Sequence, residues 1–153
     1  SLDGAAELNT YLNASPDVFY FSYTFSATSK NRVTGYHTPD KDVFLLIRSR
    51  AKLIGSRVVF TDSGSATDST WWENDGIVNS RSMRGPTTGK NGADLIVEYQ
   101  PSKPLMKGRW YTFEPIKLDH YQSVGHMISR EKRSILDSMY VNHAKLLWSL
   151  PKD

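Results

Sequence analysis

The sequence predicts an α/β domain that holds only part of a β-sheet. Segments of helical periodicity alternate with short strand-like segments along its 153 residues, which is typical of a parallel sheet covered by helices. The segment 18–25 carries large aromatic or β-branched side chains on both faces, as in a central strand that is covered on both sides. Two further strand candidates are too few to surround it. We therefore expect more of the sheet to come from an upstream segment outside these residues.

The composition is that of one globular domain. Lys and Arg number 19 against 16 Asp and Glu, and this excess of 3 positive charges is too small to indicate nucleic-acid binding. No apolar run approaches the roughly 20 residues that cross a bilayer, so no transmembrane segment is expected. The absence of Cys excludes disulfides, thiol catalysis and Cys-ligated zinc. The first residues, which have neither an initiator Met nor a signal-peptide pattern, suggest an internal start.

The first half of the chain predicts helix, strand, loop and helix in that order. Apolar residues at helical spacing predict a short amphipathic helix over 3–14, ahead of the strand at 18–25. Residues 27–41 are rich in loop formers. A second helix is expected over 44–54, with Gly55 as its left-handed stop.

The second half predicts two more strands and a final helix. The Ser, Thr, Asp and Gly residues of 61–69 indicate a mobile surface loop. Strands are expected at 94–99 and 109–116. The last periodic segment, 130–148, predicts a helix that carries Ile135, Leu136, Met139, Tyr140, His143 and Leu147.

Asp75 is a candidate functional carboxylate. It lies between two Trp residues and a Gly-Ile-Val sequence, in the segment 71–83. An aspartate that is partly desolvated there needs a hydrogen-bond donor to stay ionised, and a histidine is one natural donor. The alternative is that Asn74-Asp75-Gly76 is only a tight turn.

His120 is a candidate general base. It follows the predicted strand 109–116, and α/β enzymes place such a histidine in a loop at the carboxyl end of a strand. The alternative is a structural, hydrogen-bonded histidine. We expect His37 and His143 to be structural, and the six-residue spacing of His120 and His126 does not fit a common zinc site.

Several segments, in order along the chain, resemble the secreted triacylglycerol lipases of the staphylococcal and Geobacillus type. The specific ones are Glu-Asn-Asp-Gly-Ile-Val-Asn at 73–79 and Asp-His at 119–120. Supporting matches lie at 3–9, 14–16, 18–25, 82–86 and 107–110. The resemblance implies the C-terminal part of an α/β-hydrolase sheet with flanking helices, which residues 1–153 cannot complete without an upstream segment.

The resemblance also implies a Ser-His-Asp triad that hydrolyses lipid esters, with Asp75 as its acid and His120 as its base. The nucleophile would lie upstream, because no Gly-x-Ser-x-Gly occurs in the chain. In members of the family the oxyanion hole and the lid also lie upstream of the matching segments, so the chain alone is expected to be inactive. The partner it implies is the upstream lipase segment that carries the serine, the substrate is a lipid ester, and the location is extracellular.

The family's structural calcium is not expected here. In the family an acidic residue follows the histidine by two positions and an aspartate comes several residues later. The matching positions hold Gln122 and Met127, and a neutral amide with a thioether does not supply the charged oxygens that Ca²⁺ needs. We therefore expect no cofactor.

Two other functions stay open. The aromatic residues Trp71, Trp72, Trp110 and Tyr111 could stack on sugars in a carbohydrate-binding module, although the helix and strand pattern around the Trp residues favours core positions for them. A lipase-like interaction protein that has lost its nucleophile is the third interpretation. It would leave the retained acid and base without a purpose, so we favour a piece of an active lipase.

Overall fold

The computed structural model describes residue 7 and the ranges 14–60, 66–86 and 95–151. Strands and helices in these ranges are β1 (Tyr20–Ser22), β2 (Thr28–Lys30), β3 (His37–Pro39), α1 (Arg48–Ile54), β4 (Ile96–Glu98), β5 (Trp110–Thr112) and α2 (Arg130–Ser149). Short 3₁₀ turns precede α1 and lie at Ser69–Trp71, Ser80–Met83 and Gln122–Val124. The helix predicted over 3–14 and most of the loop predicted over 61–69 lie outside the described residues.

Three parallel strands form the main sheet, in the order β1, β5, β4, and this confirms the α/β class. Aromatic side chains pair between β1 and β5 and just beyond their ends. Tyr20 stacks on Trp110 with ring centroids 4.8 Å apart, and Tyr23 stacks on Phe113 with ring centroids 4.3 Å apart. The strand predicted as central, 18–25, shortens to β1 and lies at an edge of the described sheet. Its three residues are only half-buried, because among the described residues β1 pairs on one side alone.

The β2–β3 hairpin packs beside α1 and forms a second, antiparallel sheet. The predicted helix over 44–54 is present as the 3₁₀ turn Leu45–Ile47 followed by α1. Gly55 ends α1 with a φ of −65°, so the expectation of a left-handed stop is wrong. Its role is close approach: a Cβ built on Gly55 would lie 2.1 Å from the backbone oxygen of His37.

The final helix, α2, confirms the prediction for 130–148. Its inward stripe follows helical spacing and consists of Lys132, Leu136, Met139, His143 and Leu146, which are all at least partly buried. Within the described ranges, neither helix is long and apolar enough to cross a membrane.

A small apolar cluster lies under the loops that follow the strands. Ala27, Val43 and Ile47 are its buried members, and Phe44 and Ile77 pack against it. The cluster joins the hairpin, the start of α1 and the turn around Asp75. It thereby supports the region in which the predicted site residues meet.

Candidate functional site

The segment 74–78 forms a tight turn closed by side chains as well as by the backbone. The Asp75 N–H donates to the Val78 carbonyl at 3.1 Å, and the Asn74 side chain accepts from the Gly76 N–H at 2.9 Å. The Asn74 amide also donates to the carbonyls of Ala51 and Trp72. Asn74 is fully buried, so these contacts anchor the turn to α1.

Gly76 is required at the next position. Its φ is 99°, in the left-handed region that disfavours side chains, and a Cβ there would come within 2.6 Å of the Ile47 Cδ1. The turn can therefore lie directly on the apolar cluster. The backbone on both sides of Asp75 is thus fixed, through Asn74 before it and Gly76 after it, and this sets the position of the Asp75 carboxylate.

The loop that carries His120 is fixed by Asp119. One carboxylate oxygen of Asp119 accepts the N–H groups of Tyr121 and Gln122, and the other accepts the Phe44 N–H at 2.8 Å. Asp119 is fully buried. Three N–H donors hold this buried carboxylate rigidly, so it fixes the loop after Asp119 to the chain just before the 3₁₀ turn that leads into α1.

Asp75 and His120 meet in a direct hydrogen bond. The distance from Asp75 Oδ2 to His120 Nδ1 is 2.8 Å, and the His120 backbone N–H donates to the Asp75 carbonyl at 2.9 Å. The Asp75 side chain is only 2% exposed, whereas that of His120 is 45% exposed. The predicted pair is therefore brought together with the carboxylate buried and the imidazole partly open.

This arrangement selects one tautomer of the imidazole. An ionised carboxylate only accepts hydrogen bonds, so Nδ1 carries the hydrogen and Nε2 keeps its lone pair. Within the described part of the chain, Nε2 makes no hydrogen bond. The geometry can thus accept a proton at Nε2 and stabilise the resulting imidazolium through Asp75.

Gln122 and Met127, the positions expected to have lost calcium ligands, differ in environment. Gln122 is buried, and its amide oxygen accepts the Asp119 N–H at 3.0 Å. Met127 is 68% exposed and has a positive φ of 49°. Across the described ranges, no group of three or more His, Cys, Asp or Glu side chains could hold a metal ion.

Lys132 contacts the same buried loop from α2. Its ammonium donates to the Gln122 amide oxygen at 2.9 Å and pairs with the Asp42 carboxylate. The hydrogen bond from Lys132 is the main reason that the pKa of Asp42 is lowered, against a smaller opposing effect of burial. Asp42 is therefore ionised throughout the neutral pH range.

His37 and His143 have structural partners, as expected. The Nδ1 of His37 lies 3.3 Å from the Thr28 hydroxyl, and the Nδ1 of His143 lies 3.2 Å from the Tyr23 hydroxyl. Burial lowers the pKa of His37 and raises that of the Tyr23 hydroxyl. Neither histidine lies against the Asp75 carboxylate.

The aromatic residues considered as a sugar platform are engaged within the chain. The Trp72 indole donates to the Arg57 carbonyl at 3.0 Å, and the Arg81 guanidinium lies 5.2 Å from the ring centroid of Trp71. Trp110 stacks on Tyr20. These contacts favour packing roles for the three Trp residues.

Sequence reasoning missed two residues of the site. Asp119 belongs to the Asp-His dipeptide, and its spacing to Tyr121 and Gln122 is that of an aspartate closing a local turn, which is a signal that could have identified it. Lys132 gives a weaker signal: a lysine on the inward stripe of a mostly apolar helix face. Its partner Asp42 is 90 positions earlier and carries no pattern of its own.

Solved structures with similar folds include EstA from Clostridium botulinum, at a TM-score of 0.76 and 32% identity over 90% of this chain and 32% of that chain. The lipase of Staphylococcus hyicus gives a TM-score of 0.76 and 26% identity, over 95% of this chain and 34% of that one. Lipase 1 from Pelosinus fermentans gives a TM-score of 0.73 and 27% identity, over 99% of this chain and 38% of that one.

Sequence comparison agrees with these structural similarities. The Staphylococcus hyicus lipase is 26% identical over 143 residues, which are 93% of this chain and 20% of that protein. The chain thus spans about a fifth of the length of this curated relative. The family described as "Lipase-like, C-terminal domain" matches residues 1–146, and the chain belongs to that family.

Proposed function

We propose that this chain is the C-terminal part of a lipase that hydrolyses carboxylic esters of lipids through a Ser-His-Asp triad. Asp75 would be the acid and His120 the base. The observation that carries the proposal is the 2.8 Å hydrogen bond from His120 Nδ1 to a buried Asp75 carboxylate. The serine would come from an upstream segment of a longer protein, since the chain contains no Gly-x-Ser-x-Gly.

Each residue has a distinct task in the proposed reaction. His120 Nε2 takes the serine proton as the hydroxyl attacks the ester carbonyl, and later gives that proton to the leaving alcohol. Water then repeats the cycle on the acyl-serine. Asp75 holds Nδ1–H in place and stabilises the imidazolium, which costs little because the carboxylate is already desolvated and oriented.

Membership of the family, and relatives with "lipase" in their names, favour a lipid ester as substrate. An extracellular enzyme fits the resemblance to secreted lipases. The chain covers only 20% to 38% of these relatives, so the substrate pocket and the activity belong to the proposed longer protein.

The test compares His120→Ala with His126→Ala in the longer protein, using p-nitrophenyl esters and emulsified triacylglycerol. His126 is an exposed histidine six positions further on, so it controls for loss of an imidazole in the same region. We expect His120→Ala to lower kcat by about 10⁴-fold or more, with His126→Ala close to wild type. Equal activity of His120→Ala and wild type would contradict the assignment.

The isolated residues 1–153 provide a second test. We expect them to hydrolyse no ester above the buffer rate, because an acid and a base without a nucleophile cannot form the acyl-enzyme. Turnover by the isolated chain that disappears on mutation of one of its own serines would show that the nucleophile lies within these residues.

A further inference from the structure

Lys132 is a charged residue on the buried stripe of α2. It lies in the first turn, where its backbone N–H donates to the side chain of the capping Ser129 at 3.3 Å. Its own side chain points inward and is only 18% exposed. A lysine that loses this much water needs compensating partners, and the Asp42 carboxylate and the Gln122 amide oxygen supply them.

These partners form a closed ring of contacts around the ammonium. The Gln122 amide nitrogen donates to the Asp42 carbonyl at 3.1 Å, while its oxygen accepts from Lys132 at 2.9 Å and from the Asp119 N–H at 3.0 Å. The ring joins three segments: the start of α2, the loop before α1, and the loop that carries His120. Removing the ammonium would leave Gln122 and Asp42 without the group that both contact.

The ring lies two residues from His120, where the family resemblance implies a calcium ion. The residues present do not fit that ion. Ca²⁺ needs six or more oxygens with several negative charges, whereas the Gln122 oxygen is neutral and already accepts two N–H donors, and Met127 presents a thioether. A positive ammonium beside these oxygens would also repel a divalent cation.

We propose that Lys132 is a positioning residue whose ammonium fixes the His120 loop in place of a divalent metal ion. The triad geometry then does not depend on calcium. This inference rests on the proposed function, because it assigns Lys132 a role in holding the proposed base against Asp75. Lys132 itself does not touch the reacting atoms.

The first experiment uses Lys132→Met in the longer protein, with Lys145→Met as the control. Met keeps most of the stem and loses the charge, and Lys145 is an exposed lysine on the same helix. We expect Lys132→Met to lower kcat by about 10- to 100-fold with little change in KM, because misplacing a catalytic group by about 1 Å has effects of this size. Titration with an organophosphonate counts the competent sites and removes the effect of unfolded protein.

A double-mutant comparison tests the route through Asp42. If the ammonium acts through this ring, Asp42→Asn combined with Lys132→Met should lower kcat no further than Lys132→Met alone. Additive losses would show two independent effects and would overturn the ring. A wild-type kcat in Lys132→Met, with only Tm lowered, would reduce Lys132 to a structural role and overturn the positioning role.

The third measurement asks which cation holds the loop. We expect the Tm and kcat of the wild type to be unchanged by EDTA and by millimolar Ca²⁺. A fall in both on chelation, restored by Ca²⁺, would show that a metal does this work and would overturn the proposal. Should the longer wild type hydrolyse no ester at all, the proposed function fails, while the response of Tm to Ca²⁺ and to Lys132→Met still decides which cation holds the loop.

Discussion

Asp75 uses its two carboxylate oxygens for different tasks. Oδ1 accepts the N–H groups of Ile77 and Val78, at 2.9 and 2.7 Å, and so closes the turn. Oδ2 accepts from His120 at 2.8 Å. A turn aspartate and a histidine partner are competing interpretations of the sequence, and in the structure one carboxylate satisfies both. Because the turn fixes Oδ1, Oδ2 has one direction in which to meet the imidazole.

The first prediction follows from this division of tasks. In the longer protein, we expect Asp75→Asn to lower kcat by about 10⁴-fold while the protein stays folded. The Asn oxygen can still accept from Ile77 and Val78, but its NH₂ group then faces Nδ1 and forces the ring hydrogen onto Nε2. The measurement is kcat on a p-nitrophenyl ester together with Tm.

Asp137→Asn is the matched control, since it removes an exposed carboxylate from α2. It should leave kcat and Tm near their wild-type values. A folded Asp75→Asn protein with kcat within about tenfold of wild type would contradict the acid role, because a wrong tautomer costs far more than that.

The pair of site residues could be predicted from the sequence, but the residues that hold the pair could not. Asp75 and His120 lie in short motifs of a specific composition, so they can be identified without knowing the fold. Asp119 depends on Phe44, which is 75 positions away, and Lys132 depends on Asp42. Such long-range partners leave no periodic or local pattern, since their meeting is decided by how the loops cross.

At the scale of single elements, periodicity predicted α2 well and β1 less well. The stripe through Leu136, Met139 and His143 repeats at helical spacing, and the structure buries Leu136 and partly buries the other two. Ile135 and Tyr140, which were expected on the same helix as apolar positions, are exposed. In the strand, pairing with a partner decides length and position. A prediction from composition alone therefore made β1 longer than it is and placed it at the centre of the sheet.

Gly55 gives a prediction about the contact between α1 and β3. We expect Gly55→Ala to destabilise the longer protein by roughly 3 kcal/mol or more, because the new Cβ would lie 2.1 Å from the His37 backbone oxygen. That oxygen cannot move freely, since the His37 N–H is bonded to the Gly55 carbonyl at 2.8 Å. Urea unfolding measures the loss.

Gly35→Ala is an informative contrast. Gly35 has a φ of 74°, and no atom of the described residues lies within 4 Å of a Cβ built there, so the substitution should cost only about 1 kcal/mol through backbone strain. A larger loss of stability in Gly55→Ala than in Gly35→Ala would therefore show that steric crowding costs more than an unfavourable φ. The reverse order would show that α1 moves away from β3 at little cost.

His37, in β3, gives a prediction about pH. Its pKa is lowered chiefly by burial; the carboxylate of Glu73 raises it in part, and the cation of Lys117 lowers it further. Because the pKa in the folded state lies below the unfolded value of about 6.5, the unfolded chain takes up the proton first as the pH falls. The contribution to stability is complete above about pH 6.5 and is lost as the pH falls through the folded pKa.

We therefore expect Tm to fall between about pH 7 and pH 5, and His37→Gln to reduce that fall. His126→Gln, which changes an exposed histidine, should keep the wild-type slope. Calorimetry at a series of pH values in buffers of constant ionic strength measures both. Parallel Tm curves for wild type and His37→Gln would contradict the assignment.

For the molecule as a whole, the described residues bury few large side chains. The buried hydrophobic residues are Ala27, Val43, Ile47, Ala51, Tyr111, Leu118 and Leu136. In α2, only Leu136 is fully buried along 20 residues. Large apolar side chains are exposed on several elements, including Leu45, Leu46, Phe60, Ile135, Tyr140 and Trp148. Surfaces of this kind favour a further segment that covers them.

Two features of the sheet also favour a further segment that packs against these residues. β1 and β4 form its edges in the described ranges, and each pairs only with β5. Buried hydroxyls of Thr24 and Thr112 have no hydrogen-bond partner among the described residues. Unpaired strand edges and unsatisfied hydroxyls are both costly, and both are removed if the upstream segment continues the sheet.

The last prediction is that residues 1–153 alone do not form an independently stable fold. Each large apolar side chain contributes about 1.5–3 kcal/mol only when it is covered, and here many are not. We expect the isolated chain to bind a hydrophobic dye, to self-associate through its strand edges, and to unfold in urea without a sharp transition. Co-expression with the upstream segment should restore a single cooperative transition, whereas an unrelated domain of similar size should not. A soluble monomer of residues 1–153 with one sharp transition would show that these surfaces need no partner.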